Sequence, residues 1–448
     1  MQRRAQALCT IARPDRDKHG DVLPYSEGTR ECIMSTARQQ ILDWIDRDRE
    51  DLVNFLQAFV RHKSPNPPGD TREVADFVKK FLDLRGLPYR IIAAHPEMPN
   101  IVGSFDCGRP GRHLVLNGHI DVFPVADDGA GWSRDPWGGE IVDGKIYGRG
   151  VADMKAGTTA SIFTYAYLHR LKDQLNGKLT LTAVSDEETF GPYGARYLME
   201  HHPEVHGDAL LNGEPSSPFS VRFGEKGPLW LEIAVRTPGA HGAYTHASKS
   251  ATKTAMAVAA QLEELGAIEP QISDNVRTAI DAGRATMDRA MGPGAGAIVD
   301  KVTLNIGTIK GGVKVNMVPS SATFEADIRL PLGVGREQVM AAVGKIIEAF
   351  PDATVKETNC NLPSWVDPDC EIIRIVQKNV EELRGFRPQP IVSLGGTDAR
   401  LWRYRNIQAC VYGPFPHGMG SFDEHVDIEE FLHIVRTHAL SACDFLSV

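Results

Sequence analysis

Four segments of the chain place a histidine or a carboxylate at the end of an apolar run. In the first, residues 116–124, His119 and Asp121 stand two apart, and residues two apart on a strand face the same way. A carboxylate in that position can hold the second ring nitrogen of a metal-binding imidazole. A hydrogen-bonded structural His–Asp pair accounts for the segment equally well, so the segment alone leaves both roles open.

The other three segments supply carboxylates. Asp153 lies in a glycine-rich stretch whose backbone can turn tightly beside a site, although an aspartate there also suits a helix N-cap. Residues 186–188 are consecutive carboxylates, which repel one another unless protons or cations offset their charge. A solvated acidic turn is the alternative for those three. Glu214 follows another apolar run and repeats the pattern of a strand that delivers a carboxylate.

These strand ends are more specific in combination than any one of them is alone. In α/β folds, ligands bind beside the carboxyl ends of the strands. Imidazole and carboxylate ligands without cysteine suit a hydrolytic Zn²⁺, Mn²⁺ or Co²⁺ ion. Glu187 and Glu188 are chain neighbours that point in different directions, so one can bind metal while the other moves a water proton. We therefore predict a hydrolytic metal centre.

The elements that carry these residues alternate between strand and helix patterns. Before residue 227, this alternation predicts an α/β fold with a mainly parallel or mixed sheet covered by helices on both faces. The predicted strands there are 89–93, 101–105, 113–117, 179–185 and 209–212. From residue 227 the strands alternate between apolar and polar positions, which is typical of a small α+β unit with an antiparallel sheet. Those strands are 229–236, 301–309 and 322–330.

The chain of 448 residues is long enough for two to three folding units. We predict a disordered tail at residues 1–36 and one catalytic α/β domain in two parts, 37–226 and 362–448. The α+β domain, 227–361, is inserted between those parts.

Composition excludes several classes of protein. The formal net charge is −9 and no Lys/Arg-rich run occurs, which argues against a nucleic-acid partner. The seven cysteines are scattered without a C-x-x-C pair, which fits the reducing cytoplasm. Apolar runs long enough to span a bilayer are absent from the sequence, so we expect no membrane partner.

From about residue 38 onwards, the order and spacing of the motifs resemble those of the M20 family of metallopeptidases and amidohydrolases, which includes succinyl-diaminopimelate desuccinylase, acetylornithine deacetylase and carboxypeptidase G. The resemblance implies a metallo-exopeptidase-like mixed sheet flanked by helices. It also implies that the inserted domain is a lid and dimerisation domain, so that the protein forms a homodimer.

The resemblance also implies roles for the motif residues. His119 and Glu214 bind one ion, Glu188 binds a second ion, and Asp153 bridges the two. Asp121 orients His119, and Glu187 acts as the general base. The resemblance further implies a cis peptide bond between Asp153 and Met154.

In the inserted domain, His241 matches the histidine that reaches a neighbouring active site as an oxyanion donor; a surface-loop histidine is the alternative. Asn316 and Arg329 resemble contacts to a substrate carboxylate, which an arginine can bind with two hydrogen bonds. Gly396 and Thr397 lie in a loop that can add backbone N–H donors, although a plain turn is the alternative there.

One position departs from the family pattern. The last metal-binding histidine of the family stands four residues before a glutamate, and Gly420 occupies that place before Glu424. His417 and His425 are the nearby substitutes, and we favour His417 because a glycine-containing loop can turn it inward. The centre therefore holds one or two divalent ions.

The expected activity is hydrolysis of an amide C–N bond in a small substrate with a carboxylate, such as an N-acyl amino acid or a dipeptide. Two alternatives stay open. One is hydrolytic deamination of an aromatic amino acid on the same fold, and the other is a non-catalytic metal- or ligand-binding protein.

Overall fold

The computed structural model describes residues 27–447, apart from the side chains of residues 27–35, 127 and 128. Most of the predicted tail lies outside these residues, and the first helix begins at Glu27. The chain forms two compact units. The first comprises the described chain up to Pro218, together with Glu371–Pro388 and the chain from Ile407 onwards. The second comprises Phe219–Cys370 and Gln389–Asn406, and the predicted insertion 227–361 falls inside it.

The helices in chain order are α1 (Glu27–Arg47), α2 (Arg49–Arg61), α3 (Arg72–Leu84), α4 (Ala156–Leu171), α5 (Ala195–His201), α6 (Ala251–Leu262), α7 (Asp274–Met291), α8 (Ala295–Ile298), α9 (Arg336–Glu348), α10 (Glu371–Arg384), α11 (Ala399–Arg403) and α12 (Ile428–Phe445). The strands are β1 (Tyr89–Ile92), β2 (Asn100–Asp106), β3 (Arg109–His119), β4 (Glu140–Val142), β5 (Lys145–Tyr147), β6 (Asn176–Val184), β7 (Ala209–Asn212), β8 (Ser220–Glu225), β9 (Gly227–Arg236), β10 (Ala240–His241), β11 (Thr303–Gly311), β12 (Met317–Val318), β13 (Ser321–Leu330), β14 (Ala353–Cys360), β15 (Ser364–Trp365), β16 (Gln389–Ser393), β17 (Gln408–Val411) and β18 (His425–Asp427).

The first unit has a mixed sheet with the strand order β1-β2-β6-β3-β7-β17. Strands β6, β3, β7 and β17 run parallel, and β1 and β2 pair antiparallel at one edge. The C-terminal half of β6 and all of β7 are buried, as expected for parallel strands covered by helices on both faces. The predicted α/β class with a mixed sheet is confirmed.

The helix α4 lies against this sheet and is buried along nearly its whole length. Its N-terminal turn approaches the end of β7 so closely that a Cβ atom on Gly157 would lie 2.0 Å from the main-chain oxygen of Gly213. Glycine is therefore required at position 157 by the contact between the two backbones.

The second unit contains a four-stranded antiparallel sheet in the order β11-β13-β9-β14. Alternate residues of β9 and β13 are buried and form a core with residues of α6 and α9, as the alternating pattern predicted. The separate antiparallel sheet expected of a lid domain is thus confirmed. Helix α7 was not predicted, because its apolar residues Val276, Ile280 and Met287 are outnumbered by polar ones.

Within residues 27–447, none of the helices combines the length and the apolar composition needed to cross a membrane.

Replacing Gly157 by alanine tests the close approach of α4 and β7. We expect Gly157→Ala to lower the free energy of unfolding by about 1–3 kcal/mol, because the new methyl group forces backbone atoms apart. Urea denaturation measures this change. Gly344→Ala is the matched control, because Gly344 lies inside α9 with open space around its Cβ position. That substitution should raise stability by about 0.5–1 kcal/mol, and equal effects of the two would contradict the prediction.

Candidate functional site

Three parallel strands of the first unit end side by side. His119, the last residue of β3, pairs with Val184 at the end of β6, and Asn117 pairs with Asn212 at the end of β7. The segments that follow β6 and β7 carry Glu187 and Glu188 in one case and Glu214 in the other. The register of the sheet therefore brings the predicted motifs to one edge, which is the usual place for a site in an α/β fold.

Three of the predicted ligands meet at this edge. The Nε2 atom of His119 lies 3.3 Å from Oδ1 of Asp153 and 3.3 Å from Oε1 of Glu214. Within the described chain, these side chains form a group whose ligand atoms all lie within 4.8 Å of one another. Glu188 and His417 do not belong to that group among the residues described.

The ring of His119 is oriented by the main chain of Asp121. Its Nδ1 atom donates to the carbonyl oxygen of Asp121 at 2.8 Å, whereas the carboxylate oxygen Oδ1 lies 3.6 Å away. Because a carbonyl oxygen can only accept, Nδ1 carries a proton, and in the neutral ring Nε2 keeps its lone pair. This is the tautomer that an imidazole needs to bind a metal through Nε2.

The carboxylate of Asp121 binds the backbone of the acidic turn, residues 186–188. It accepts hydrogen bonds from the main-chain N–H groups of Glu187 and Glu188, at 3.3 and 3.2 Å. It also accepts from Nδ2 of Asn66 at 2.9 Å, and the same amide donates to Asp186 at 3.1 Å. Asn66 was not predicted as a site residue, because its proline-rich segment indicated only a break between helices.

The consecutive carboxylates of residues 186–188 have different surroundings. Asp186 has a φ of 68°, and its carboxylate accepts from Oγ1 of Thr189 and the main-chain N–H of Tyr193. Glu187 is buried, and the Oε1 atom of Glu188 is buried without a hydrogen-bond partner in the part of the chain that the structure describes. The carboxylate of Asp186 is therefore bound within the turn, and Glu188 presents an acceptor oxygen that suits a cation.

The side-chain amides of two buried asparagines form hydrogen bonds next to Glu214. Asn212 donates from Nδ2 to Oδ1 of Asn117 at 2.8 Å, and its own Oδ1 accepts from the main-chain N–H of Glu214 at 2.8 Å. Asn117 in turn donates to Oγ1 of Thr182 at 3.2 Å. These hydrogen bonds link β7, β3 and β6 directly beneath the site. The asparagines were missed as site residues, although a polar amide inside an apolar strand was the available signal.

The cluster concentrates negative charge in a buried place. Burial, together with repulsion from Asp153, raises the pKa of Glu214 to about 8. The same two causes raise the pKa of Glu188 well above its usual range. Burial lowers the pKa of His119, but the facing carboxylates of Glu214 and Asp153 outweigh that effect and raise it well above the usual value. Such a group of acceptors fits a divalent cation, which offsets the charge without the protons.

The Asp153–Met154 peptide bond is cis, as the resemblance implied. Asp153 itself lies in the irregular residues 151–155 that precede α4, where its φ and ψ are −114° and 95°. The N-cap position of α4 is occupied by Lys155, so the structure does not place Asp153 at the helix cap that was its alternative role.

The histidines near the C-terminus stack on one another. The rings of His417 and His425 are 4.7 Å apart at an angle of 6°, and Phe415 stacks on His417 at 4.5 Å. Gly420, at the place expected for histidine, has a φ of 68°. The assignment of His417 as the last metal ligand stays a prediction.

The remaining predicted residues belong to the second unit. His241 is exposed in β10, which pairs with β12, and its Nδ1 atom accepts from the main-chain N–H of Ala243 at 3.2 Å. The carbonyl oxygen of Asn316 accepts from the main-chain N–H of Gly242 at 2.7 Å. Because Nδ1 of His241 accepts a hydrogen bond, the neutral ring carries its proton on Nε2, which is the arrangement that an oxyanion donor requires.

Arg329 and Thr397 have partners within the second unit. The guanidinium of Arg329 forms a half-buried ion pair with Asp327 at 2.9 Å. Thr397 donates from its N–H and its hydroxyl group to the buried carboxylate of Glu225, at 3.0 and 2.8 Å, beside Gly396 in the predicted loop. These interactions explain the local conformation of both residues, and their contact with substrate stays a prediction.

Known proteins resemble the chain in sequence and fold. The model of peptidase family M20/M25/M40 matches residues 115–443. Succinyl-diaminopimelate desuccinylase of Sulfurimonas denitrificans is 23% identical over 401 residues, which cover 86% of this chain and 99% of that protein.

Solved structures have the same fold. The M20 family metallo-carboxypeptidase Sso-CP2 of Sulfolobus solfataricus superposes with a TM-score of 0.77 at 17% identity, over 89% of this chain and 99% of that one. Human carnosine dipeptidase 1 superposes with a TM-score of 0.70 at 16% identity, over 92% and 99%.

The raised pKa of Glu214 predicts how metal binding depends on pH. Below about pH 8 the metal-free site holds a proton on this carboxyl group, and an ion must displace it. The apparent affinity for Co²⁺ should therefore rise from pH 6 to pH 8, by about tenfold per pH unit for each proton released. Chelator competition at several pH values measures the affinity. Glu214→Gln should weaken binding and flatten the dependence, and equal wild-type affinities at pH 6 and pH 8 would contradict the assignment.

Proposed function

Because the chain belongs to peptidase family M20/M25/M40 and is a metallohydrolase of that family, we propose that it hydrolyses an amide C–N bond in a small carboxylate-bearing substrate. The observation that carries this proposal is the buried group of His119, Asp153 and Glu214, with Glu187 on the adjoining turn. The names of the relatives, a desuccinylase and a dipeptidase, support an N-acyl amino acid or a dipeptide as the substrate class.

We assign the ions to two neighbouring positions. His119, Asp153 and Glu214 would hold the first, and Asp153, Glu188 and His417 would hold the second. When bound, a divalent ion such as Zn²⁺, Mn²⁺ or Co²⁺ would supply Lewis-acid activation of water and of the acyl group. The close approach of the first three side chains supports tighter binding at the first position than at the second.

Glu187 is the proposed general base. Its main-chain N–H is held by Asp121, while its carboxylate is buried next to Glu188. The carboxylate takes a proton from the attacking water and later gives it to the leaving amine. A non-catalytic binding protein has no use for a buried glutamate in this position, so this arrangement favours an enzyme.

His241 of a second copy is the proposed oxyanion donor. Attack on the acyl carbon puts negative charge on the acyl oxygen, and a fixed N–H donor stabilises that charge. The acceptor role of Nδ1 leaves the Nε2 proton of His241 available for this hydrogen bond.

The second unit also supplies the proposed substrate contacts. Arg329 has further N–H donors beyond the two that it directs at Asp327, and a guanidinium can bind a carboxylate with two hydrogen bonds. Asn316 lies beside the His241 segment and is the proposed second contact. Since Thr397 uses its N–H and hydroxyl to bind Glu225, we propose that it shapes the loop and that the N–H of Gly396 faces the substrate.

Hydrolytic deamination of an aromatic amino acid is the second candidate. It is kept because Gly420 replaces the expected histidine, which changes the ligands available for a second ion. An enzyme of this kind releases ammonia and leaves N-acyl substrates intact.

Glu187→Gln tests the proposed chemistry. We expect kcat for amine release to fall by about 10²–10⁴-fold with the Co²⁺ content unchanged, because glutamine cannot take the water proton. The measurement is amine release from N-succinyl and N-acetyl amino acids, dipeptides and aromatic amino acids, with metal analysis of the same samples. Glu188→Ala should instead lower the metal content.

Glu200→Gln is the matched control, because Glu200 is an exposed glutamate of α5 in the same unit, and it should keep full activity. Near-normal turnover of Glu187→Gln would contradict the role of this residue. Ammonia release from aromatic amino acids alone would replace the amide proposal by deamination.

A second copy of the chain is the proposed partner of the second unit. Strand β11 lies at the edge of its sheet, and the turn that follows exposes 88% of Val313 and 100% of Val315. An edge strand followed by exposed apolar side chains suits pairing with another copy.

Val315→Asp tests that surface. We expect light scattering to show a shift from dimer to monomer, because a carboxylate is costly to bury in an apolar interface. Leu84→Asp is the control, since Leu84 is 85% exposed at the end of α3 in the first unit. A dimer that Val315→Asp leaves intact would place the interface elsewhere.

A further inference from the structure

We infer that Glu424 is a positioning residue for the metal ligand Asp153, an inference that rests on the proposed metal centre. The side chain of Glu424 is fully buried. Its Oε1 atom accepts from the main-chain N–H groups of Ala152 and Asp153, at 2.9 and 3.1 Å. Its Oε2 atom accepts from the N–H of Gly150 at 3.0 Å and from Nη1 of Arg149 at 2.7 Å.

The segment that carries Asp153 needs such a partner. Asp153 and Met154 have non-helical backbone angles, and Gly150 has a φ of 79°, so residues 150–154 do not form a regular hydrogen-bonded helix. Their buried N–H groups must find acceptors outside the segment. The carboxylate of Glu424 accepts from three of them at once, as a bound anion does in a cradle of backbone amides.

The position of the Asp153 carboxylate follows from that of its backbone. Oδ1 of Asp153 lies 3.3 Å from Nε2 of His119, and Glu424 binds the main-chain N–H of the same aspartate. Metal sites tolerate displacements of only about 0.5 Å in their ligands. Loss of the Glu424 carboxylate therefore releases the backbone on which the ligand is carried.

The contact also connects the metal site with the C-terminal part of the chain. Glu424 and Asp153 are 271 residues apart in sequence. Around them, β18 pairs with β5, the carbonyl oxygen of Glu424 accepts from the N–H of Gly148, and Arg149 donates to the carbonyl oxygen of Ser421. Glu424 is thus itself held firmly, as a residue that positions another must be.

The test is a Co²⁺ titration of the full chain, followed by the visible absorption of the bound ion. Glu424→Gln keeps the shape of the side chain but replaces one acceptor oxygen by an NH₂ group. We expect Co²⁺ to bind about 10–100-fold more weakly with altered absorption bands, because removal of a group that holds a metal ligand has effects of this size. The absorption bands report ligand geometry, which a purely structural role would leave unchanged.

Asp444→Asn is the matched control, since Asp444 is a partly buried carboxylate paired with Arg38 in the same unit. It should lower stability in thermal unfolding but leave Co²⁺ affinity and absorption unchanged. Equal affinity and equal bands for wild type and Glu424→Gln would overturn the inference alone. Failure of the wild type to bind Co²⁺ would overturn the proposed function and this inference with it.

Arg149→Gln decides the question if Glu424→Gln does not fold. This substitution removes one donor to the Glu424 carboxylate and leaves the main-chain donors in place. We expect a smaller loss of Co²⁺ affinity than for Glu424→Gln, with a shift of the absorption bands in the same direction. Unchanged affinity and bands in a folded Arg149→Gln protein would overturn the inference.

Discussion

The repulsion among buried carboxylates around His119 is the interaction on which the rest of the site depends. Asp153 and Glu214 both lie within 3.3 Å of one imidazole nitrogen, and the half-buried Glu188 adds further negative charge nearby. Burial and this repulsion raise the pKa values of Glu214 and Glu188, so that protons offset part of the charge when no cation is bound. A divalent ion offsets the negative charge of these carboxylates. Their mutual repulsion, which is unfavourable in the metal-free protein, therefore favours metal binding.

Much of the polar structure around the site prevents these carboxylates from moving apart. The carboxylate of Asp121 holds the N–H groups of Glu187 and Glu188, and Asn212 holds that of Glu214. Each contact fixes the backbone of a proposed metal ligand or of the proposed base. Buried hydrogen bonds of this kind resist rearrangement because a freed N–H group has no water to replace its partner. These hydrogen bonds therefore fix the backbone around the proposed metal centre.

The two units contribute different kinds of residue to the proposed reaction. The first unit holds the metal ligands and the general base, which need fixed mutual distances on the ends of parallel strands. The second holds Arg329 on a four-stranded antiparallel sheet with its own apolar core, and His241 on the separate two-stranded sheet of β10 and β12. This division lets the substrate contacts change without disturbing the metal centre, since the two sets of side chains depend on separate cores. Family relatives that act on different substrates fit such a division.

The sequence by itself determined the α/β class, the antiparallel second unit and the arrival of His119 and Glu214 at one edge of the sheet. These follow from local periodicity and from the rule that parallel strands end together. Asp153 precedes α4 and does not end a strand, so only the motif resemblance predicted its place in the group. Only the tertiary structure decided that Nδ1 of His119 donates to the main-chain carbonyl oxygen of Asp121, that Asn66 binds the carboxylates of Asp121 and Asp186, and that Glu424 binds the backbone before α4. Asn66 and Glu424 act on residues up to 271 positions away in the chain. Their roles depend on hydrogen-bond directions, which exist only once the backbone is folded, so no local pattern predicts them.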